Sequence, residues 1–299
     1  MLQAQDSVRL PSGGALHIRN ATASGSAPPI LFVHGVGGAA WSWGPQIAAL
    51  GDEFACFVWE GRGHGAAPRV ADAGLGDYYR DALEALRYVF ETTGKPVLVV
   101  GHSMGGLIAL ALACEQSAAV RGLFLIDPVY SDGNGDRHVM LPKPLIALVR
   151  LAIAPIAASY MRDGRVSRAI SRWMFTLAFD DRAAMERAWV LQRTQVPVEY
   201  PQMLYQAFEG VSNFPFHPFA DVVTVPTYLV EAASSRGPKR ARFRGLAARL
   251  RARLGDDATY EVIAGGHYLQ LDRPREINER IATFARALGR TIAEQAASA

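Results

Sequence analysis

The chain has 299 residues, 50% of them hydrophobic and 20% charged, so it can bury a large core and does not read as disordered. Its formal net charge of +3 is small for this length and is not concentrated in one long basic block, which argues against a nucleic-acid partner. The two cysteines, Cys56 and Cys114, fall in apolar segments typical of small buried side chains, so no disulfide is predicted.

The first ten residues lack a charged stretch followed by an apolar one, so no secretory signal is predicted and a cytoplasmic location is expected. The longest apolar stretch, Leu145 to Met161, is interrupted by Arg150 and Pro155 and is short for a membrane span. We therefore expect no stable membrane insertion. The sequence gives no indication of the oligomeric state.

Apolar strand patterns and helical patterns alternate through the first part of the chain. A hairpin is predicted first, followed by a helix that starts at Gly76-Asp77 with Asp77 as its cap, and by a helix to about Gln116. Buried strands are predicted at Ile30 to Val33, Phe54 to Trp59, Val97 to Val100 and Leu123 to Ile126. Because each strand is a continuous apolar run, the pattern predicts a parallel sheet that is covered by helices on both faces.

This alternation stops between about Tyr130 and Ala220. Helices are predicted there at Leu145 to Met161, Val166 to Phe179, Ala183 to Arg193 and Tyr200 to Glu209. Strands resume at Thr227 to Val230 and Tyr260 to Ile263, separated by an Arg-rich amphipathic helix at 239–254 and followed by a last helix after Pro274. The sequence therefore predicts an α/β core of residues 1–129 and 221–299, with residues 130–220 inserted as a helical block.

The stretch Gly101-His102-Ser103-Met104-Gly105 ends one apolar strand and opens a helical pattern. A serine in such a turn sits in a strained backbone conformation, and the small residues two positions away let strand and helix approach closely. The turn therefore predicts a nucleophile elbow that presents the Ser103 hydroxyl at the edge of the sheet.

Acidic candidates lie between Ser103 and His267, and nucleophile, acid, base is the order of a serine hydrolase of this architecture. Further motifs are His34-Gly35-Val36-Gly37-Gly38, Gly61-Arg62-Gly63-His64-Gly65, and Gly265-Gly266-His267 followed by Asp272-Arg273-Pro274. Together with the elbow, these motifs resemble the α/β-hydrolase superfamily over nearly the whole chain except the insertion. The resemblance implies an α/β-hydrolase fold, a mostly parallel sheet flanked by helices, with the insertion as a helical cap.

The resemblance also assigns roles to individual residues. Ser103 is the expected nucleophile, and His267 is the expected base because a serine hydroxyl needs a neutral imidazole to take its proton. The backbone amides of Val36 and Met104 are the expected oxyanion donors. No metal or organic cofactor is expected.

The acid departs from the commonest pattern of the family. That pattern carries an Asp in the loop after the strand that follows the insertion, where this chain has Ser235. Asp127, at the end of the preceding strand, corresponds to the acid in a minority of family members. Asp127 is the expected acid, Glu231 is the alternative, and Asp132, Asp136 or no acid at all stay open.

Aromatic residues of the insertion could line an apolar pocket, since open α/β sheets bind ligands at this edge. Trp173, Trp189 and Phe214 are the predicted substrate-binding residues. The predicted function is hydrolysis of a carboxylic ester or lactone of a bulky, lipophilic small molecule, by an esterase, lipase or lactonase type of enzyme.

Other functions stay open from the sequence. A carbon–carbon bond hydrolase of ring-cleavage products shares the fold and the Ser-Met-Gly-Gly sequence, although His102 and Tyr268 differ from the residues common there. Cofactor-free oxygenases and ligand receptors share the fold as well. Gly35-Val36-Gly37-Gly38-Ala39-Ala40 also imitates a dinucleotide fingerprint with Glu60 as its ribose ligand, but residues 41–45 delay the helix that the fingerprint should open.

Overall fold

A computed structural model of the protein describes residues 6–23, 25–68, 70, 73–129, 164–195, 217–234 and 238–297. Within these residues the strands are β1 (Asp6–Arg9), β2 (Ala15–Arg19), β3 (Ile30–Val33), β4 (Cys56–Glu60), β5 (Val97–His102), β6 (Val120–Ile126), β7 (Thr227–Ala232) and β8 (Ala258–Ile263). They form one eight-stranded sheet in the order β1-β2-β4-β3-β5-β6-β7-β8. The pairs β1–β2 and β2–β4 are antiparallel, and every later pair is parallel.

The described residues also form nine helices, which alternate with the strands along much of the chain. They are α1 (Gly44–Leu50), α2 (Leu75–Thr93), α3 (Met104–Glu115), α4 (Gly164–Ala178), α5 (Arg182–Gln195), α6 (His217–Val222), α7 (Pro238–Leu254), α8 (Leu269–Asp272) and α9 (Pro274–Ala297). Short 3₁₀ turns occupy Ala40–Trp43 and Gly255–Asp257. None of these helices combines the length and the hydropathy that a membrane-spanning segment needs.

Successive side chains of the central strands point to opposite faces, and each face carries its own core. On β3, Leu31 and Val33 belong to one buried cluster, and Ile30 and Phe32 belong to the other. The first cluster also includes buried residues of α2, α3 and α7, and the second includes residues of α1 and α9. The predicted α/β class, with a mostly parallel sheet covered on both faces, is therefore confirmed.

Several element boundaries differ from the sequence prediction. The second buried strand begins at Cys56 rather than Phe54, and its ladder runs from Cys56 to Glu60. Helix α2 begins at Leu75 with Gly74 as its N-cap. Asp77 is the third residue of the helix, and its carboxylate accepts the Gly74 amide at 2.9 Å. Asp77 therefore supports the cap from inside the first turn and is not the N-cap itself.

The inserted segment is described in part. Helices α4 and α5 correspond to the two helices predicted at 166–179 and 183–193, whereas those predicted at 145–161 and 200–209 lie outside the described residues. The predicted boundary between residues 220 and 221 falls inside α6, which packs on the core cluster through Ala220, as does Val223 immediately after the helix.

Helix α3 runs unusually close to the sheet at its first turn. A Cβ added to Gly105 would lie 2.0 Å from the Val33 carbonyl oxygen, and one added to Gly101 would lie 2.4 Å from the carbonyl oxygen of Gly105. Both obstacles are backbone atoms, which cannot rotate away as a side chain could. Glycine at these positions is therefore what allows β5 to turn directly into α3.

We expect Gly105→Ala to lower the free energy of unfolding by about 3 kcal/mol, because the new methyl group must push α3 away from β3. Chemical denaturation of the purified protein measures this loss. Gly245→Ala is the matched control: Gly245 lies in α7 with nothing within 4 Å of an added Cβ, so the same change should be neutral or stabilising by up to about 1 kcal/mol. Equal stabilities of the two variants would contradict this account of the elbow.

Candidate active site

Ser103 lies between β5 and α3 with φ +53° and ψ −117°, a left-handed conformation that costs an ordinary residue about 1–3 kcal/mol. Its amide donates to the Ile126 carbonyl at 3.1 Å, and its carbonyl accepts from the Gly106 and Val129 amides. These bonds fix the turn to the end of β6. The side chain is 8% exposed, at the carboxyl edge of the parallel strands.

His267 and Asp127 meet at the same edge of the sheet. The Nδ1 atom of His267 lies 2.5 Å from Oδ2 of Asp127, and the Asp127 carboxylate is fully buried. The other oxygen, Oδ1, accepts the Ala232 amide of β7 at 3.1 Å. Because His102 of β5 pairs with Ile126 of β6, the next residues along the two strands, Ser103 and Asp127, are neighbours across the sheet.

Glu231, the alternative acid, does not lie at His267 Nδ1. Its buried carboxylate accepts a hydrogen bond from the Tyr260 hydroxyl and lies 3.4 Å from Nε of Arg240. Arg240 belongs to α7 and Tyr260 to β8, so this carboxylate is engaged with the helix that covers the sheet. Of the two candidate acids, the structure brings Asp127 to the imidazole.

His102 joins the elbow to the loop that carries His267. Its Nε2–H donates to the His267 carbonyl at 2.9 Å, and the two imidazole rings lie 4.6 Å apart. The ring of His102 also packs 4.8 Å from that of Tyr268. The residue before Ser103 therefore holds the backbone of the residue that would accept the serine proton, a contact that the motif alone does not reveal.

The loop after β3 contacts the elbow from the other side. A Cβ added to Gly35 would lie 2.9 Å from the Ser103 Cβ, so glycine lets this loop approach the serine. Val36 follows Gly35 in the half-buried part of the loop. Met104 is the first residue of α3, and the first amides of a helix have no partner within the helix. The two predicted oxyanion donors thus belong to segments that flank Ser103.

Two buried histidines brace that loop as neutral rings. Burial, together with the nearby His64, lowers the pKa of His34 to about 3, and burial lowers the pKa of His64 as well. Each ring donates from Nδ1 to a backbone carbonyl and accepts a backbone amide at Nε2. The accepted amides are those of Gly61 for His34 and Gly37 for His64, so the rings tie the β3 loop to the loop after β4.

Glu60 ends β4 below the same two loops. Its carboxylate, 1% exposed, accepts the Ala40 amide at 2.7 Å and the Ala66 amide at 2.6 Å, and contacts Nε2 of His17 at 2.8 Å. Burial by itself raises the pKa of Glu60, but the bonds from His17, Ala40 and Ala66 outweigh it and the net pKa is lowered. Its oxygens are thus already engaged with the protein, which weighs against a role as ribose ligand.

Helices α4 and α5 pack directly against the loop after β3 and against the loop that carries His267. Phe175 of α4 and Trp189 of α5 are buried with Trp41 of the β3 loop and with Tyr268, which follows His267. Gln192 of α5 donates to the Gly37 carbonyl at 3.4 Å. The inserted helices therefore contact the loop after β3 and the loop that carries His267.

The predicted substrate-binding residues fall in different environments. Trp189 is buried in this aromatic cluster, with its ring 5.6 Å from that of Phe175. Trp173 is 62% exposed. Phe214 lies outside the described residues, as do Asp132, Asp136 and Ser235. Phe179 is one of the insertion aromatics that the sequence offers as pocket lining, whereas the sequence assigns Tyr268 no binding role; their rings stack 4.8 Å apart beside His267.

Comparison with known proteins gives the family. The sequence model described as the Alpha/beta hydrolase family matches residues 30–280, so the chain belongs to that family. Among solved structures, the enol-lactonase from Burkholderia xenovorans LB400 superposes with a TM-score of 0.69 at 21% identity, over 93% of this chain and 99% of that one. The predicted α/β-hydrolase fold and the resemblance to this family are thus confirmed.

Curated relatives match shorter segments. The chain is 34% identical over 122 residues to the dihydrolipoyllysine-residue acetyltransferase component of the acetoin cleaving system from Cupriavidus necator, covering 40% of this chain and 31% of that protein. It is 29% identical over 120 residues to (E)-2-((N-methylformamido)methylene)succinate hydrolase from Acinetobacter baylyi, covering 40% and 44%. The chain thus spans less than half the length of these relatives.

We expect Glu60→Gln to lower the free energy of unfolding by about 2 kcal/mol at pH 7, because the buried amide cannot replace the charged acceptor of His17, Ala40 and Ala66. Since the folded-state pKa of Glu60 is lowered, this stabilisation is complete above the ordinary pKa of a glutamate and is lost as the pH falls through the folded-state pKa. Urea denaturation at pH 7 and at about pH 3.5 should show the gap between wild type and variant narrowing in acid.

Glu53→Gln serves as the control for this experiment. Glu53 forms an exposed ion pair with Arg286 at 2.6 Å, and exposed pairs contribute about 0–1 kcal/mol. A loss from Glu60→Gln no larger than that from Glu53→Gln at pH 7 would contradict the bracing role of Glu60.

Proposed function

We propose that the protein is a serine hydrolase that cleaves a carboxylic ester or a lactone of a bulky, lipophilic small molecule. The observation that carries the proposal is the 2.5 Å contact between His267 Nδ1 and Asp127 Oδ2, beside a serine in a left-handed turn before a helix. A buried carboxylate at Nδ1 fixes the tautomer that leaves Nε2 free to accept a proton. Ser103, His267 and Asp127 are accordingly the proposed nucleophile, base and acid.

In the proposed reaction, Nε2 of His267 takes the hydroxyl proton as Ser103 Oγ attacks the carbonyl carbon. Asp127 stabilises the resulting imidazolium. The tetrahedral intermediate collapses when the imidazolium gives its proton to the departing alkoxide, which leaves an acyl group on Ser103. Water, activated by the same imidazole, then attacks the acyl-enzyme and releases the acid. A lactone follows the same steps, with the alcohol and the acid released as one molecule.

In the proposed reaction, the backbone N–H groups of Met104 and Val36 donate hydrogen bonds to the carbonyl oxygen as negative charge develops on it. Met104 N–H is at the amino terminus of α3, where the aligned peptide dipoles favour negative charge. The loop of Val36 is held by neutral His34 and His64 and by Glu60. A donor fixed before the reaction contributes about 3 kcal/mol to stabilisation of the transition state.

The substrate class is inferred from the aromatic residues next to the proposed base. A cluster of aromatic rings joins the His267 loop to α4 and α5. Its members are Trp41, Phe175, Phe179, Trp189 and Tyr268. We propose residues 130–220 as a cap over this edge of the sheet, which would enclose an apolar acyl or alcohol group. The similarity to an enol-lactonase fold agrees with a lactone as one form of the substrate.

We expect Ser103→Ala to lower kcat for p-nitrophenyl esters by roughly 10⁴-fold or more, because no other nucleophile lies in the elbow. For the wild type, kcat/KM should rise from acetate to octanoate esters and should be measurable on aliphatic lactones. A fluorophosphonate probe should label the wild type at Ser103 and leave Ser103→Ala unlabelled. An unchanged esterase rate in Ser103→Ala would remove Ser103 as the nucleophile.

The acid is tested by a matched pair of isosteric variants. We expect Asp127→Asn to lower kcat by about 10²- to 10⁴-fold, because the amide favours the wrong imidazole tautomer and leaves the imidazolium without a counter-charge. Glu231→Gln should stay within about threefold of the wild-type kcat, with any cost appearing in stability through its contacts with Arg240 and Tyr260. The reverse ranking of the two kcat values would assign the acid to Glu231.

A further inference from the structure

Asp272 binds three backbone amides that come from two separate parts of the chain. Its Oδ2 accepts the Gly266 amide at 2.7 Å and the Asp180 amide at 2.9 Å, and its Oδ1 accepts the Asp181 amide at 3.2 Å. Gly266 immediately precedes His267, whereas Asp180 and Asp181 form the turn between α4 and α5. One buried carboxylate, 5% exposed, therefore joins the His267 loop to the inserted helices.

The backbones on both sides of His267 also touch this turn directly. A Cβ added to Gly266 would lie 2.4 Å from the Ala178 carbonyl oxygen, and the same oxygen accepts the Tyr268 amide at 3.3 Å. Phe179 stacks on the Tyr268 ring with an interplanar angle of 11°. The residues before and after His267 are thus both packed on the α4–α5 turn.

The same turn sets where α5 begins. Asp181 Oδ1 accepts the amides of Ala183 and Ala184 at 2.7 and 3.1 Å, as an N-cap side chain does. Asp272 holds the backbone of Asp181, and α5 then carries Trp189 into the aromatic cluster and Gln192 to the Gly37 carbonyl. A shift of the α4–α5 turn would therefore displace the His267 loop and alter the contacts of α5 with the loop after β3.

An ionised carboxylate suits this position because it only accepts hydrogen bonds and offers several lone pairs to the converging N–H groups. Burial raises the pKa of Asp272, and the amides of Asp180, Gly266 and Asp181, with the charge of Arg273, offset only part of that effect. An asparagine of the same shape would present N–H₂ to at least one amide donor. At least one of the three amides would then lose its partner.

We propose that Asp272 is a positioning residue that locks the His267 loop to the α4–α5 turn, so that the base is aligned only while these inserted helices are seated on the core. Its kinetic consequence rests on the proposed serine-hydrolase function, whereas the linkage between the two segments does not.

The test compares Asp272→Asn with Asp180→Asn. The control removes only the exposed ion pair between Asp180 and Arg273, at 2.9 Å, and leaves the backbone amide of residue 180 in place. For Asp272→Asn we expect kcat on p-nitrophenyl butyrate to fall roughly 10- to 100-fold with KM within about threefold, since misplacement of a catalytic group by about 1 Å has effects of this size. The rate of Ser103 labelling by a fluorophosphonate should fall in parallel. Asp180→Asn should resemble the wild type.

Amide hydrogen exchange measures the linkage without relying on activity. In Asp272→Asn, exchange should accelerate together in residues 178–184 and 264–268, and the low-field proton NMR signal of the His267 Nδ1–H should broaden or vanish. Faster exchange in only one of these segments, or in neither, would overturn the proposal, as would a wild-type kcat in Asp272→Asn. If Asp272→Asn does not fold, Gly266→Ala tests the linkage at another contact, because its added Cβ would lie 2.4 Å from the Ala178 carbonyl oxygen and push the same two segments apart; it should give the same paired exchange.

These measurements separate the two proposals. A wild-type protein that neither hydrolyses esters nor is labelled at Ser103 would refute the proposed function, while paired acceleration of exchange in Asp272→Asn would still support the linkage. Conversely, an active and labelled wild type with a fully active Asp272→Asn would leave the function in place and refute the role of Asp272.

Discussion

The contact between Gly105 of α3 and the Val33 carbonyl of β3 is the constraint on which the rest of the site depends. Because no side chain separates them, the first turn of α3 begins directly beside the loop that follows β3. Ser103 then lies between the start of this helix and Gly35 of the loop. The loop is in turn held by His34, His64 and Glu60, each of which bonds backbone atoms of this loop or of the loop after β4, and Glu60 bonds the His17 side chain as well.

Two of the strand ends at this edge carry strained backbone. Ser103 and Asp127 both have positive φ, +53° and +41°, and each such residue costs about 1–3 kcal/mol. The strands hold them there: Ser103 N–H donates to Ile126 and Asp127 N–H donates to Val230. The parallel register of β5 and β6, in which His102 pairs with Ile126, then sets these two residues side by side.

The fold and the family could be read from the sequence because glycines and apolar runs report local backbone requirements. Gly101 and Gly105 mark the close approach of strand and helix, and both can be recognised from their neighbours in the chain. The choice between Asp127 and Glu231 could not be made in this way, since it depends on which carboxylate faces His267 across the sheet. Asp272 could be recognised from the sequence only as part of a motif, because its partners Asp180 and Asp181 lie 92 and 91 residues earlier in the chain.

The proposed role of Asp127 is consistent with the absence of the commonest family acid after β7. β7 lies between β6 and β8, so it separates the strand that ends at Asp127 from the strand that leads to His267. Instead of a carboxylate, β7 contributes the amide of Ala232, which binds Oδ1 of Asp127 and leaves Oδ2 directed at the imidazole. Glu231, one residue earlier on β7, is drawn away by Tyr260 and Arg240. The backbone of β7 thus orients the carboxylate that we propose as the acid.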